Sequence, residues 1–284
     1  MGFKQKLGEL LVHALTEEER MILPASYQKL GHVGIIRLPA GLMEKKRIIG
    51  EGVLNAIPGI RTCCLNRGPV QGEFRQPDME YLAGEHHFEV VHKEHDCIFR
   101  FDITKLMWSM GNMNERKRLY QAVKPGEVVV DFFAGMGYWS IPIAKHAHPG
   151  HVYAIDANPY AIEALRENRH ANKIPESIMT ILPGKCEEVA PRLGRIADRV
   201  ILGYLPAPRF ALYPAFHCLK EKGGIIHYEG VCGLDAYEGL FQEVRDIGMS
   251  VGFEVALKHA QPVKSMSAGK WHYVLDCQVS RLGE

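Results

Sequence analysis

The sequence predicts an α/β protein built around a mostly parallel sheet, and three observations indicate this class. Residues 128–130 are three consecutive valines, a β-branched run typical of a buried strand. A turn containing Gly135 and Gly137 follows, and a helix is expected to begin near Tyr138. One strand–helix–strand repeat later, residues 151–156 have the composition of a second strand. Strands and helices that alternate in this way form a parallel sheet covered by helices.

The turn after the valine strand has the composition of a nucleoside-binding loop. Asp131 ends the strand, and with Gly135 and Gly137 it forms the pattern Asp-x-x-x-Gly-x-Gly. Open α/β folds bind ligands at this edge of the sheet, and small residues let the backbone approach a nucleoside closely. A dinucleotide site would have a third Gly or Ala where this sequence has Ser140. The pattern therefore favours S-adenosylmethionine (AdoMet); a corner of small residues that serves only packing is the alternative.

A second acid strengthens the nucleoside interpretation. Asp156 ends the next predicted strand, where a carboxylate accepts hydrogen bonds from both hydroxyls of a ribose. Asn158 and Pro159 then open a helix with apolar residues at helical spacing. Two correctly spaced elements favour a Rossmann-like, AdoMet-dependent sheet of the class I methyltransferase type over a packing corner.

The composition limits the number of domains, the cellular location and the kinds of partner that the protein can have. The 284 residues are enough for one α/β domain and a smaller one, and no apolar run is as long as a membrane span, so no membrane partner is expected. The seven cysteines show no paired Cys-x-x-Cys spacing, which predicts reduced thiols and a cytoplasmic location. A net charge of +1 means that any surface for nucleic acid must be local.

The predicted elements divide the chain into an α+β domain over residues 1–102 and a Rossmann-like AdoMet-binding catalytic domain over residues 103–284. In the first domain, helices are expected over residues 1–20 and 45–57, and strands within 26–40 and over 62–66, 88–92 and 97–102. In the second domain, helices are expected from residue 114 and over 160–172, 213–220 and 235–248, and further strands over 177–182, 199–203, 225–229, 251–260 and 270–280. The last two strands would close a seven-stranded sheet as an antiparallel hairpin.

A histidine-rich segment raises the question of a metal site. His86, His87, His92, His95 and Cys97 crowd one hairpin. Strand alternation would send His86 and His87 to opposite faces, and no second pair of cysteines is present. We therefore expect no metal, and interpret these histidines as solvated or hydrogen-bonded.

At this point the chain resembles a known family, the archaeal and eukaryotic enzymes that modify the purine 3′ of the tRNA anticodon. The resemblance spans nearly everything from Ser26. It rests on the segments 26–31 (Ser-Tyr-Gln-Lys-Leu-Gly), 72–75 (Gly-Glu-Phe-Arg), 82–85 (Leu-Ala-Gly-Glu), the histidine-rich hairpin, Glu115-Arg116, and the turn 131–137. Two sister groups share this layout: the tRNA guanine-N1 methyltransferases and the wybutosine-pathway aminocarboxypropyltransferases.

Two departures from the methylating sister decide between the groups. That sister has a Ser-Pro-Arg-type loop before its Glu-Arg helix, whereas Gly111 stands two residues after Ser109 here. The arginine that could clamp the methionine carboxylate is therefore missing. The methylating sister also has an Asn-Leu-Pro where this chain has Gly203-Tyr204-Leu205. Both departures match the aminocarboxypropyl sister; realignment of Leu205-Pro206 keeps methyl transfer to guanine N1 as the alternative.

The resemblance implies a role for each residue that matches the family pattern. Ser109 and Arg116 would contact the amino-acid part of AdoMet, and Asp156 would hold the ribose. The predicted cofactor-binding set is completed by Phe133, Ala134, Gly135, Ala157, Gly184, Lys185, Cys186 and Gly203, and Tyr204 is the predicted catalytic residue. The loop at 184–186 usually presents an Asp-Asn pair near adenine. Because Lys185-Cys186 replaces that pair, adenine would have to be recognised through backbone groups.

The implied activity is transfer of the 3-amino-3-carboxypropyl group of AdoMet to C7 of 4-demethylwyosine in tRNA-Phe. The implied partner is the anticodon stem-loop, bound by a monomer, with the flat base stacked and hydrogen-bonded in the cleft. Tyr204, His227 and Glu229 are candidates for the general base. Phosphate contacts are expected from Lys45, Lys46, Arg47, Arg61, Arg67, Lys117 and Arg118. A tRNA-binding module with a vestigial AdoMet fold and a small-molecule methyltransferase remain as other function classes.

Overall fold

The computed structural model describes residues 2–283 and separates into two compact units. The first unit contains the chain up to Lys93 together with Ile98–Trp108. The second contains Glu94–Cys97 and the chain from Ser109 onward. The domain boundary expected between residues 102 and 103 stays a prediction.

The first unit is an α+β module with a four-stranded sheet in the order β1-β2-β3-β4. The β1–β2 and β3–β4 pairs are antiparallel, and β2 and β3 are parallel. Strands β5 and β6 form a separate two-stranded hairpin. The elements are α1 (Phe3–Leu10), α2 (Glu17–Met21), β1 (Gln28–Leu30), β2 (Val33–Ile36), α3 (Lys46–Ala56), β3 (Thr62–Asn66), β4 (Met79–Gly84), β5 (Glu89–Glu94) and β6 (Cys97–Asp102).

The core of the first unit lies between α1, α3 and the sheet. Leu7, Ile49, Val53 and Leu82 belong to one cluster of buried apolar side chains. The single helix predicted over residues 1–20 is wrong, because Thr16 accepts a hydrogen bond from Glu19 N and starts α2 with a capping box. Strand β4 is not among the predicted strands, whereas β3, β6 and α3 confirm their predictions closely.

The second unit is the predicted seven-stranded sheet, in the order β12-β13-β11-β10-β7-β8-β9. Strands β11, β10, β7, β8 and β9 are parallel neighbours, and β13 and β12 join antiparallel to β11. The strands are β7 (Val128–Asp131), β8 (His151–Asp156), β9 (Met179–Pro183), β10 (Arg199–Leu202), β11 (Gly223–Cys232), β12 (Phe253–Ser267) and β13 (Lys270–Arg281). This sheet confirms the predicted Rossmann-like class.

Helices connect the parallel strands and cover the sheet. Asn158 accepts a hydrogen bond from Tyr160 N and so begins the helix predicted after the second acid. The helices are α4 (Met113–Ala122), α5 (Ser140–His146), α6 (Pro159–Ala171), α7 (Cys186–Leu193), α8 (Leu212–Cys218) and α9 (Glu238–Ser250). Only α7 was not predicted. Within residues 2–283, no helix is both long enough and apolar enough to cross a lipid bilayer.

Candidate active site

Asp131, at the end of β7, holds the turn that follows it from inside the protein. Its Oδ2 accepts a hydrogen bond from Ser140 Oγ (2.6 Å), and its Oδ1 accepts one from the Phe133 amide (3.3 Å). The carboxyl is fully buried, and this burial, aided by the charges of Asp156 and Glu229, raises the pKa of Asp131 to about 7. Asp131 therefore shapes the loop rather than contacting solvent or a ligand.

This raised pKa makes folding stability depend on pH in a predictable direction. An unfolded chain releases the Asp131 proton near pH 3.9, so between about pH 4 and pH 7 the folded protein holds the extra proton. The Asp131 contribution to stability is therefore complete below about pH 4 and is lost as the pH rises to about 7, by up to about 1.4 kcal/mol per unit. We expect Asp131→Asn to remove this slope in urea unfolding curves recorded at about pH 5, 6 and 7. Parallel slopes for the wild type and the variant would contradict the assignment.

Asp156, at the end of β8, is oriented by two backbone amides. Its Oδ2 accepts a hydrogen bond from Gly135 N (2.7 Å), and its Oδ1 accepts one from Asn158 N (2.8 Å). Each carboxylate oxygen keeps a second lone pair, so the group fits two adjacent ribose hydroxyls. Removal from water raises the pKa of Asp156, which these hydrogen bonds partly offset.

The loop after β9 lies against the same strand end. The Gly184 amide donates to the Asp156 carbonyl (2.9 Å), and the Gly135 amide donates to the Asp156 carboxylate, so the three residues lie together. The Cys186 thiol is buried at the start of α7 and donates to Glu187 Oε2 (3.0 Å). Its side chain therefore faces into the protein, and any recognition by this loop would use backbone groups.

Ser109 and Arg116 are brought together at the start of α4. Arg116 Nη2 donates to the Ser109 carbonyl (3.0 Å), and the Ser109 hydroxyl donates to Asn112 Oδ1 (3.0 Å). Arg116 also forms a two-point ion pair with Glu94, at 2.5 and 2.9 Å. Both side chains are almost fully buried, 1% and 3% exposed. Arg116 therefore supports the Ser109 loop, and its role toward a ligand stays a prediction.

An aromatic cluster follows β10. The ring of Tyr204 lies 5.1 Å from that of Phe133 and 6.0 Å from that of Phe210. Phe133 and Phe210 meet edge to face at 5.9 Å, and Phe210 is half exposed. The cluster joins two residues predicted for the site to a third that sequence reasoning missed. It offers a flat base an apolar surface on which to stack.

Beside this cluster, a buried acid approaches the end of β10. A Cβ atom at Gly203 would lie 3.1 Å from Glu229 Oε1 and 2.8 Å from Trp139 Nε1. Glu229 Oε2 accepts a hydrogen bond from His272 Nε2 (2.8 Å), and both side chains are buried. Because His272 donates through Nε2, it fixes one carboxylate oxygen and leaves the other toward Gly203.

Arg118 and His227, which the sequence suggested for phosphate contact and for the general base, belong to a separate network of ion pairs. Arg118 donates to Glu115 and to Asp276 at 2.6–2.9 Å, and its expected phosphate contact stays a prediction. His227 is fully buried between Asp276 and Arg199, and burial lowers the pKa of His227. This surrounding does not suit a general base. Burial alone would raise the pKa of Asp276, but hydrogen bonds from His227 and Arg118 lower it below its usual value.

The histidine-rich segment differs from its predicted geometry. Strand β5 begins at Glu89, so His86 and His87 precede it and strand alternation does not separate them. His32, Glu85 and His87 have potential ligand atoms within 4.8 Å of one another. Glu85 already accepts a hydrogen bond from Arg61 (3.1 Å), and His32 Nε2 lies 3.3 Å from the His87 carbonyl. We assign no metal to this cluster.

Two family models match the chain. Residues 7–87 match the TYW2 N-terminal domain, and residues 90–254 match the TRM5/TYW2 methyltransferase domain. A Methanocaldococcus jannaschii protein named tRNA(Phe) (4-demethylwyosine(37)-C(7)) aminocarboxypropyltransferase is 35% identical, over 90% of this chain and 98% of the relative.

Solved structures give the same family. P. horikoshii TYW2 in complex with MeSAdo has a TM-score of 0.85 at 30% identity, covering 98% of this chain and 99% of that one. A complex of aTrm5 with tRNALeu has a TM-score of 0.80 at 28% identity, covering 97% and 78%. The acid-ended strands, the small-residue turn and these matches lead to one conclusion: the chain belongs to the TRM5/TYW2 family of AdoMet-dependent tRNA-modifying enzymes.

Proposed function

We infer that the protein transfers the 3-amino-3-carboxypropyl group of AdoMet to C7 of 4-demethylwyosine in tRNA-Phe and releases 5′-methylthioadenosine. The observation that carries this choice is at the end of β10, where Gly203 faces the carboxylate of Glu229 and no amide side chain is present at that position. The M. jannaschii relative with this named activity matches across nearly its whole length, which supports the same choice.

The residues at the strand ends suit the donor. Asp156 offers two oriented oxygens to the ribose, and backbone groups of Gly135 and Gly184 lie beside it. Phe133, Ala134 and Ala157 are the neighbouring residues that would line the nucleoside, and Lys185 and Cys186 would contribute only backbone groups near adenine. Bound AdoMet supplies a carbon made electrophilic by the positively charged sulfur.

The acceptor base would stack on the cluster of Phe133, Tyr204 and Phe210. Base–aromatic stacking contributes about 1–3 kcal/mol per base and suits a flat tricyclic ring. Tyr204 lies next to Gly203, so a ring on this surface is also near the Glu229 carboxylate. Tyr204 is thus proposed to position the base by contact.

Glu229 is the group best placed to receive the proton. When the bond between C7 and the donor carbon forms, the carbon–sulfur bond breaks and the C7 proton must leave. Glu229 Oε1 faces Gly203, while His272 holds Oε2. We propose Glu229 as the general base and His272 as the residue that positions it.

The partner is proposed to be the anticodon stem-loop of tRNA-Phe, bound by a monomeric enzyme. The tRNA complex of a structural relative supports an RNA partner. Lys45, Arg47 and Lys117 remain candidates for phosphate contacts, as do Lys46, Arg61 and Arg67, each ion-paired with a carboxylate at the surface. A cytoplasmic location is supported by seven free cysteines.

Separate labels in AdoMet test the reaction. Enzyme and tRNA-Phe carrying 4-demethylwyosine are incubated with AdoMet labelled either in the methyl carbon or in the carboxypropyl carbons. We expect only carboxypropyl label in the RNA, together with one methylthioadenosine per group transferred. Methyl label in the RNA would establish the guanine-N1 methyltransferase alternative; no label with normal AdoMet binding would indicate a vestigial enzyme.

A further inference from the structure

Lys264 packs against Gly111, the position at which the family resemblance implies an arginine in the methylating sister group. The sequence has Gly111 two residues after Ser109, at the position of the missing arginine. A Cβ atom at Gly111 would lie only 2.6 Å from Lys264 Cδ, with Lys264 Cβ and Cγ at 3.6 and 3.7 Å. The aliphatic part of Lys264 therefore packs where a side chain at position 111 would begin.

The charged end of Lys264 reaches the residue expected to contact the amino-acid part of AdoMet. Its Nζ donates a hydrogen bond to Ser109 Oγ. The carbonyl of Ser109 is held by Arg116, and its hydroxyl donates to Asn112. A positive charge is thus fixed on the Ser109 loop although no arginine follows Ser109 in the sequence.

A shift in the strand register directs the Lys264 side chain toward the Ser109 loop. Pro262 pairs with Tyr273 and Lys264 pairs with His272, so the pairing of β12 with β13 shifts at Val263. A residue added to one strand redirects the side chains beside it. Residues directly opposite in an antiparallel pair share a face, so Lys264 shares a face with His272, which holds Glu229.

We propose that Lys264 binds the carboxylate of the methionine part of AdoMet and that Gly111 is required because it leaves room for Lys264. This inference rests on the proposed function, to which it adds Lys264 as the positively charged residue that binds the donor AdoMet. An ammonium on β12 attracts the carboxylate from a different direction than a guanidinium at position 111 would. The position of the positive charge that binds the carboxylate decides which sulfur-bound carbon faces the acceptor base, because the reaction depends on orientation.

AdoMet and 5′-methylthioadenosine, which lacks both the amino-acid arm and the positive charge on sulfur, test this assignment. Removing the Lys264 charge would relieve repulsion with that sulfur, so weaker binding of AdoMet alone indicates the carboxylate. Binding of AdoMet and of 5′-methylthioadenosine, which lacks the arm, is measured by calorimetry for the wild type and Lys264→Met. We expect Lys264→Met to lower the affinity for AdoMet by about 10- to 100-fold, which corresponds to the loss of one hydrogen bond to a charged group. The affinity for methylthioadenosine should change by less than about twofold. Lys264→Arg should retain most of the AdoMet affinity.

A second variant and a matched control complete the test. Gly111→Ala displaces Lys264 without removing it, so it should produce the same selective loss for AdoMet. Lys258→Met, at an exposed lysine of the same strand, should leave both affinities unchanged. Equal loss for both ligands, or no loss for either, would overturn the proposal. The proposed reaction is tested separately, by the label that the wild-type enzyme transfers to the RNA. The reaction and the role of Lys264 can therefore fail independently of each other.

Discussion

Replacing Glu229 with glutamine is expected to lower kcat by about 10²- to 10⁴-fold, the usual contribution of a positioned general base. The change keeps the shape of the side chain and its hydrogen bond with His272 Nε2. It removes a negative charge that helps to raise the pKa values of Asp131 and Glu115, so the folded protein should not be destabilised. Single-turnover transfer to modified tRNA measures the rate, and calorimetry should give an unchanged AdoMet affinity.

The control for this variant is another glutamate that contacts the same strand. Glu243, on α9, accepts a hydrogen bond from the hydroxyl of Tyr228, the residue before Glu229 in β11. Neighbouring residues of a strand point to opposite faces, so Glu243→Gln removes a comparable charge away from Gly203. We expect its kcat to be unchanged. A normal kcat for Glu229→Gln, or an equal loss in both variants, would remove Glu229 from the mechanism.

The elements that could be predicted are those whose signals are local in sequence. The valine run, the turn with Gly135 and Gly137 and the second acid lie within one repeat, and β7, β8 and α6 formed where expected. The two helices within residues 1–20 depended on a Thr16 capping box inside an apparently continuous helical pattern. Helix α7 contains Pro191, and a proline inside a helix hides the usual pattern.

The contacts of the site were less predictable because they join distant positions. Gly135 and Asp156 could be paired from the fold alone, since ends of neighbouring parallel strands meet at one edge. No sequence pattern links Ser109 with Lys264, because their contact depends on the register shift at Val263. The partner of Arg116 was missed for a similar reason: Glu94 belongs to a hairpin whose acids look like ordinary surface residues in the sequence.

Removing Glu94 should be among the most destabilising single changes in the second unit. Glu94→Ala would leave the Arg116 guanidinium, 1% exposed, without its carboxylate partner. Breaking a buried pair from one side costs about 3–5 kcal/mol, because an uncompensated charge stays in the interior. We expect a loss of that size in the free energy of unfolding of the full chain, measured by urea denaturation.

Two further variants separate this burial effect from any role of Arg116 toward AdoMet. Glu85→Ala breaks the Arg61–Glu85 pair, whose side chains are 58% and 53% exposed, and should cost only about 0–1 kcal/mol. The double change Glu94→Leu with Arg116→Met removes both buried charges and should recover most of the stability. If that double variant folds well but binds AdoMet weakly, Arg116 contributes to donor binding, either by contact or by holding the Ser109 carbonyl. If Glu94→Ala lowers the free energy of unfolding by no more than Glu85→Ala does, the Arg116–Glu94 ion pair does not stabilise the Ser109 loop.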